Sequence, residues 1–292
     1  MPMKEIAWNG IRFQAPADWE VGRIGSYYLM LEKESGPVLE MKWGRVKGVF
    51  SHKKHMRRLS VLHGKRSGIS IGESPLTPEW EDALDGFSAT GFSWQGTSMG
   101  GMGAILYCPM CHNATLIQFH HNDSGESKNT TLSVLNSFSD HRADGQIRWA
   151  VFDIQAMIPE KFKLVRQRLV PGKTELAFEA KGRKVTLHRW GPAAVLLRGR
   201  GIAGFAETMA GMPSQHPDVM INIDEKSAEW AVSPSVSILG RAFGGIRRKH
   251  PFKRFRLWHL KKKNRILGVG AEGKKPFDPH FLDRICADYD SL

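Results

Sequence analysis

Hydrophobic and polar positions alternate in short runs through most of this chain. Leu29, Leu31, Leu39 and Met41 recur at a period of two, which is the spacing of strands with one buried face. The runs come in pairs separated by short turns, a pattern typical of hairpins. Helical stretches are expected at about 52–65, 130–139, 193–209 and 279–288. Hairpin strands with helices between the groups predict an α+β fold built on antiparallel sheets.

One order of elements occurs twice along the sequence. A short strand, a proline and an aromatic residue open each half, and a helix closes each half. The distance between matched segments never decreases along the chain, as expected where a few loops are longer in one copy. The pattern predicts an internal duplication with two similar domains, 1–146 and 147–292. The matched segments are 8–13 with 149–154, 39–44 with 186–191, 106–107 with 257–258 and 134–138 with 285–289.

The opening of each unit carries a family resemblance. Phe13, Pro16 and Trp19 correspond to Ile154, Pro159 and Phe162, and a hairpin, a helix, a second hairpin and a closing helix follow. In this order of elements each unit resembles the PsbP/DcrB-like superfamily, which includes the Mog-type Ran-binding proteins. The resemblance implies an α/β/α sandwich, an antiparallel sheet flanked by helices. It also implies protein binding without a catalytic centre, and one bacterial branch looks like chaperones for secreted effectors.

The charge of the chain is uneven. Among 292 residues there are 42 Lys and Arg against 29 Asp and Glu, a net charge of +13. Residues 151–292 contribute nearly all of this excess, and 247–265 hold ten Lys and Arg and no acid. Such a cluster attracts acidic proteins or other anionic surfaces. The expected contacts are Arg247, Arg248, Lys249, Lys253, Arg254, Arg256, Trp258, Lys261, Lys262 and Lys263.

Two alternatives remain open for this basic hairpin. Nucleic acid is one, because Trp258 alternates with Arg254 and Arg256 on one strand face and an indole ring can stack on a base. The other is a solvated sheet edge whose Lys and Arg side chains prevent aggregation.

The sharpest local motif is Cys108-Pro109-Met110-Cys111-His112. A tight turn can aim two thiolates at one ion, so a zinc site with Cys108, Cys111 and His112 as ligands is one interpretation. A redox-active pair, a covalently attached haem and an ordinary turn with two incidental thiols are the others. The matched turn, 259–263, has no cysteine. No cofactor is therefore expected, with zinc as the alternative.

No nucleophile–base pair and no pair of catalytic carboxylates stands out in the sequence. We therefore expect a non-enzymatic binding, adaptor or chaperone-like protein. Nucleic-acid binding and a metal- or redox-dependent activity at Cys108 and Cys111 are the alternatives. No apolar stretch reaches the length of a membrane span. Three cysteines are too few for a disulfide framework, and the first residues do not look like a secretory signal, so a cytoplasmic location is expected.

Overall fold

The computed structural model describes residues 2–64, 69–121, 128–141, 145–213, 217–233, 251–278 and 280–292, and of 62–64 it describes only the backbone. The chain divides into two compact units, Met1–Asp144 and Gly145–Leu292. Each unit contains a short hairpin and a seven-stranded antiparallel sheet.

The first unit opens with the hairpin β1–β2 and continues into a sheet of order β3-β4-β5-β9-β8-β7-β6. Its strands are β1 (Met3–Trp8), β2 (Ile11–Pro16), β3 (Glu20–Gly25), β4 (Tyr28–Lys33), β5 (Gly36–Arg45), β6 (Ser70–Glu73), β7 (Ser88–Gln95), β8 (Gly100–Tyr107) and β9 (Asn113–His121). Its helices are α1 (His52–Gly64), α2 (Pro78–Ala83) and α3 (Lys128–Asn136).

The second unit opens with the hairpin β10–β11, and its sheet has the order β12-β13-β14-β18-β17-β16-β15. Its strands are β10 (Gln146–Val151), β11 (Ile154–Pro159), β12 (Lys163–Val170), β13 (Lys173–Ala180), β14 (Arg183–Trp190), β15 (Val219–Ile223), β16 (Ser227–Val232), β17 (Phe252–Leu260) and β18 (Arg265–Gly273). Its helices are α4 (Ala193–Leu196), α5 (Gly201–Met209) and α6 (Phe281–Ala287), and a 3-10 turn spans Lys261–Lys263. The two sheets thus share one strand order, whereas descent by gene duplication stays a prediction.

The first hairpin of each unit turns through two residues in the left-handed region. Asn9 and Gly10 have φ values of 43° and 106°, and Phe152 and Asp153 have values of 51° and 62°. Two positive φ values define the type I′ turn, whose twist matches that of the flanking strands. Asn-Gly suits this turn, while Phe152 adopts a conformation that is unusual for a bulky residue.

The chain after the last helix of each unit returns to the opening hairpin. Arg12 and Ser139 exchange two backbone hydrogen bonds of 2.9 Å. Gln155 and Asp290 do the same at 2.9 and 2.8 Å. This closing segment is therefore held at a defined place by contacts more than a hundred residues apart in sequence.

The expected α/β/α sandwich is wrong. Among the described residues, eighteen strands stand against six α-helices. The longest helix, α1, has 13 residues, which spans roughly 20 Å, whereas seven strands side by side span roughly 29 Å. None of the described helices is long and apolar enough to span a bilayer.

Aromatic side chains from the opening hairpins add to the buried cores of the two units. Trp149 of β10 is fully buried and meets the ring of Phe178 on β13 at a centroid distance of 4.8 Å. Trp8 of β1 is also buried, and its Nε1 donates to the carbonyl of Gly25 at 2.7 Å. The tryptophans of both opening hairpins are thus fixed by contacts with the large sheet of their own unit.

Strand glycines let aromatic rings lie directly on each sheet. A Cβ added to Gly103 would come within 2.3 Å of the Ile117 carbonyl and 2.6 Å of the Phe92 ring. In the second sheet, β18 carries Gly268 and Gly270 under the ring of Phe255, which lies on the neighbouring strand β17.

We therefore expect Gly103→Ala to destabilise the protein by about 1–3 kcal/mol, because a methyl group there overpacks the core. Gly72→Ala is the matched control, since Gly72 also lies in a strand but has no atom within 4 Å of an added Cβ. Urea unfolding followed by tryptophan fluorescence gives both values. Equal midpoints for the two variants would contradict the close packing at Gly103.

Candidate functional site

The basic hairpin β17–β18 holds most of the expected cationic contacts. Arg247, Arg248 and Lys249 lie outside the described residues. Arg254 Nε donates to Glu229 Oε1 at 2.7 Å, and Arg256 Nε donates to Glu229 Oε2 at 2.8 Å. Arg256 also lies 2.9 Å from Asp283. Both arginines are thus engaged by carboxylates of their own unit.

The remaining cations of the hairpin are partly engaged as well. Lys261 pairs with Glu225 at 3.5 Å, and Lys263 pairs with Asp290 at 3.0 Å. Lys253 and Lys262 form no ion pair within the described ranges. Four of the six described Lys and Arg side chains expected to bind a partner are therefore already paired, which weakens the field that they present.

Trp258 lies on strand β17 of this hairpin and is partly buried. Its ring meets Tyr289 edge-on at a centroid distance of 5.7 Å. Tyr289 is itself buried and donates from its hydroxyl to the carbonyl of His188 at 2.7 Å. The contact accounts for the position of Trp258 by packing within its own unit.

A second positively charged feature lies in the first unit and was not anticipated from the sequence. A cavity of about 630 Å³ opens between α1 and the strands β5, β8 and β9, with the segment 46–51 at its rim. None of its described lining residues is acidic. We call it the cationic groove. Its Lys and Arg side chains are Lys42, Arg45, Lys47, Lys54 and Arg58.

Most of the groove's cations have no carboxylate partner. Lys42 lies 3.4 Å from Glu40, and its ammonium is 5.3 Å from the centre of the Tyr28 ring. The other four form no ion pair with any part of the chain that the structure describes. Among the described residues, the groove therefore presents four Lys and Arg side chains without a carboxylate partner, whereas the basic hairpin presents two.

The floor of the groove is apolar. Ile105 of β8 stands opposite Leu116 of β9, which stands opposite Lys42 of β5. Leu59 of α1 completes this floor and belongs to the same buried cluster as Ile105. An apolar floor below a cationic rim suits a ligand that combines an apolar group with negative charge.

Helix α1 adds to the positive potential. Its sequence contains no acid, and Lys53 and Lys54 lie in its first turn, where the helix dipole is already positive. Phe50 fixes the start of the helix, because its ring stacks on Tyr107 at a centroid distance of 4.5 Å. Two of the cations that line the groove, Lys54 and Arg58, therefore project from a helix held against the sheet.

Glu40 lies next to the groove in a polar cluster on the sheet. Gln118 Nε2 donates to Glu40 Oε2 at 2.6 Å, and His120 Nε2 lies 3.7 Å from the same oxygen. Burial raises the pKa of Glu40, but His120, Lys42 and Gln118 outweigh burial and lower the pKa to about 2. Burial and this carboxylate together raise the pKa of Tyr28 to about 12.

The turn between β8 and β9 brings together four potential metal ligands, which we call the turn cluster: Cys108, Cys111, Asp140 and His141. One ligand atom from each lies within 4.8 Å of all the others. Cys108 Sγ is 3.5 Å from His141 Nδ1, and Cys111 Sγ donates to Asp140 Oδ2 at 3.5 Å. Burial and the Asp140 carboxylate raise the pKa of the Cys111 thiol to about 12.

His112, the third zinc ligand expected from the sequence, lies outside this cluster. Its Nδ1 is 2.9 Å from the hydroxyl of Tyr107, and its φ is 58°. Asp140 and His141 take part instead, and sequence reasoning missed them. They are about thirty residues from the cysteines and follow the closing helix, so no local motif in the sequence indicates their approach.

Comparisons with known proteins give structural neighbours only. No family model and no curated protein matches the chain. A structure from Bacteroides thetaiotaomicron VPI-5482 is 12% identical with a TM-score of 0.31, and the match covers 54% of this chain and 53% of that one. This chain thus spans about half the length of that protein.

The immunity protein TplEi of T6SS from Pseudomonas aeruginosa matches over nearly its whole length. Its apo structure is 9% identical with a TM-score of 0.38, covering 100% of this chain and 97% of that one. Its complex with "L" peptide is 10% identical with a TM-score of 0.36, covering 99% and 97%. Similarity at these TM-scores supports no inference about the fold or the function of the present chain.

The Glu40 cluster yields a prediction about acid stability. A carboxyl whose pKa is lowered by folding stabilises the native state above its unfolded pKa, and that stabilisation is lost as the pH falls through the folded pKa. The free energy of unfolding should therefore fall between pH 4.5 and about 2, and it should fall less steeply in Glu40→Gln. Urea unfolding at a series of pH values measures this.

The matched control is Glu34→Gln, which removes the same charge at an exposed position in the β4–β5 turn. It should follow the wild-type pH profile. If the two variants lose stability in parallel as the pH falls, the cluster around Glu40 does not stabilise its carboxylate.

Proposed function

We propose that this chain is a non-enzymatic binding protein that holds an acidic segment of a partner protein in the cationic groove. The observation that carries the proposal is the composition of the groove lining. Five Lys and Arg side chains surround an apolar floor, none of the lining residues is acidic, and four of the five cations have no carboxylate partner within the described residues. The acidic partner expected from the sequence is thus also the partner that we propose. We assign its main contact to the groove of the first unit instead of the basic hairpin.

The chemistry of the groove suggests the kind of segment that it receives. Lys54 and Arg58 are four residues apart on α1, so both side chains lie on one helix face. Carboxylates that meet them gain charge-assisted hydrogen bonds. An aliphatic or aromatic side chain between the carboxylates would cover Ile105 and Leu116 on the floor. A volume of about 630 Å³ lies within the usual range for ligand sites.

The basic hairpin is the second candidate contact for an acidic segment. Its arginines are already paired with Glu229 and Asp283. A partner's carboxylates would have to compete with these internal ones, which reduces the net gain from each contact. The unpaired cations of the groove require no such exchange.

Charge reversal at the two sites distinguishes them. We expect Lys54→Glu/Arg58→Glu to weaken binding of a fluorescent peptide of alternating Glu and Phe residues at least tenfold, or about 1.4 kcal/mol. The hairpin variant Lys253→Glu/Lys262→Glu makes the same change in net charge at described cations that also lack ion pairs. It should change the affinity less than about twofold. Fluorescence anisotropy at constant ionic strength measures both.

Equal losses in the two variants would mean that the peptide responds only to total charge. A larger loss in the hairpin variant would place the contact in the second unit. A peptide of alternating Glu and Ser is the control for the apolar floor, and it should bind more weakly than the Glu–Phe peptide. Circular dichroism verifies that each variant is folded.

Nucleic acid, the alternative partner, differs in its response to salt. For a single-stranded oligonucleotide, log K should fall against log salt by about 0.7 for every phosphate neutralised. Segment binding in the groove combines a few ion pairs with apolar burial and should depend on salt only weakly. The nucleic-acid function would be favoured if an oligonucleotide bound more tightly than the Glu–Phe peptide and if its slope of log K against log salt corresponded to several neutralised phosphates.

A further inference from the structure

The turn cluster carries an inference that goes beyond binding at the groove. We propose that Cys108, Cys111, Asp140 and His141 form a structural zinc site, in which two thiolates, one imidazole nitrogen and one carboxylate oxygen hold a single Zn²⁺. The ion would tie the β8–β9 turn to the closing segment of the first unit.

The geometry of the cluster is close to that of a tetrahedral site. Ligand atoms at zinc distances of about 2.0–2.3 Å from one ion are about 3.3–3.8 Å from each other. Cys108 Sγ and His141 Nδ1 are already 3.5 Å apart, and so are Cys111 Sγ and Asp140 Oδ2. No two of the four ligand atoms are more than 4.8 Å apart, and a separation of that size closes with a shift of about 1 Å. Side-chain rotation can supply such a shift without moving either strand.

The ligand types select the metal. Thiolates disfavour magnesium and calcium, which prefer oxygen ligands. Iron–sulfur clusters usually use four cysteines, and only two are present in this cluster. Zinc accepts sulfur, nitrogen and oxygen in one tetrahedral shell. Four protein ligands leave no open coordination position, which is the arrangement of a structural site rather than a catalytic one.

The buried Asp140 carboxylate is an independent sign that a cation belongs at this place. Its side chain is 1% exposed. Among the residues that the structure describes, its only ion-pair partner is His141, at 3.1 Å. A buried carboxylate without a Lys or Arg is costly. A divalent cation bound by the neighbouring thiolates would compensate for it.

The corresponding turn of the second unit shows which interaction this position requires. His112 and Asn264 are both left-handed, with φ values of 58° and 54°. The carbonyl of His112 accepts a hydrogen bond of 2.9 Å from the backbone N–H of Val46, and the carbonyl of Asn264 accepts one of 2.9 Å from that of Ala193. In each unit the donor follows the third strand of the sheet. The two turns are therefore equivalent, and Cys111 occupies the position of Lys263.

Lys263 makes contacts that match those of Cys111. Its ammonium donates to the carboxylate of Asp290 and to the carbonyl of Ser291. Cys111 Sγ lies 3.8 Å from the carbonyl of Asp140. Ser291 and Asp140 each follow the residue that pairs with the opening hairpin. In the second unit a lysine thus ties the turn to the closing segment, and in the first unit we assign this role to the metal ion.

The experiment uses the full chain without a histidine tag. The protein is reduced, stripped with a chelator and titrated with Zn²⁺, and the metal content is measured by inductively coupled plasma mass spectrometry. We expect one zinc per chain and a higher unfolding temperature with zinc, because the ion binds the folded state. Substitution with Co²⁺ should give the thiolate charge-transfer band and the visible bands of a tetrahedral site.

Ligand variants define the site. Cys108→Ser and Asp140→Asn should retain less than a tenth of the bound zinc. His112→Gln and Cys286→Ser, which alter a neighbouring imidazole and a thiol of the other unit, should retain all of it. Cys111→Lys copies the second unit and should bind no zinc, yet its unfolding temperature should not change with the chelator.

Three results would overturn the proposal. The first is reduced wild-type protein that binds no stoichiometric zinc. The second is full zinc binding by Cys108→Ser and Asp140→Asn. The third is a Cys108–Cys111 disulfide that persists under reductant, which would favour the redox interpretation of the motif. None of these results depends on peptide binding at the groove, so the two proposals succeed or fail separately.

Discussion

The pairing between the opening hairpin and the closing segment is the constraint on which the rest of each unit depends. Arg12 with Ser139 and Gln155 with Asp290 join residues that are far apart in sequence by two backbone hydrogen bonds each. Closing so long a loop costs conformational entropy, which burial of the hairpin tryptophans offsets. The same pairing brings Asp140 and His141 to the cysteines of the β8–β9 turn.

The alternating pattern and the matched tryptophans were sufficient to predict antiparallel hairpins, because a period of two has one physical interpretation. They were not sufficient to predict which elements pack on the faces of each sheet. A buried strand face does not specify what covers it, and here α1 and α5 pack on the sheets while Trp149 of the opening hairpin packs against Phe178 of β13. The stretch expected to form one helix over 193–209 divides into α4 and α5 around Gly199, whose φ is 74°.

The candidate sites were harder to predict than the strands, because they depend on contacts distant in sequence. Cys108 and Cys111 were evident from their spacing, but a local motif cannot reveal ligands contributed by a closing segment. The cationic groove likewise combines three strands with a helix and a loop. Its Lys and Arg residues lie within 42–66, which hold nine Lys and Arg and no acid. This local excess was the signal for the groove, although the acids elsewhere in the first half hide it in the net charge.

Local pairing, and not net charge, decides where a protein attracts anions. Residues 1–150 contain 16 Lys and Arg and 15 Asp and Glu, whereas the second half carries the excess. Yet Arg254 and Arg256 share Glu229 and Asp283, while Lys54 and Arg58 have no such partner among the described residues. A paired cation contributes little potential beyond its partner, because the two fields cancel within a few ångströms. The nearly neutral unit can therefore provide the stronger site for an acidic segment.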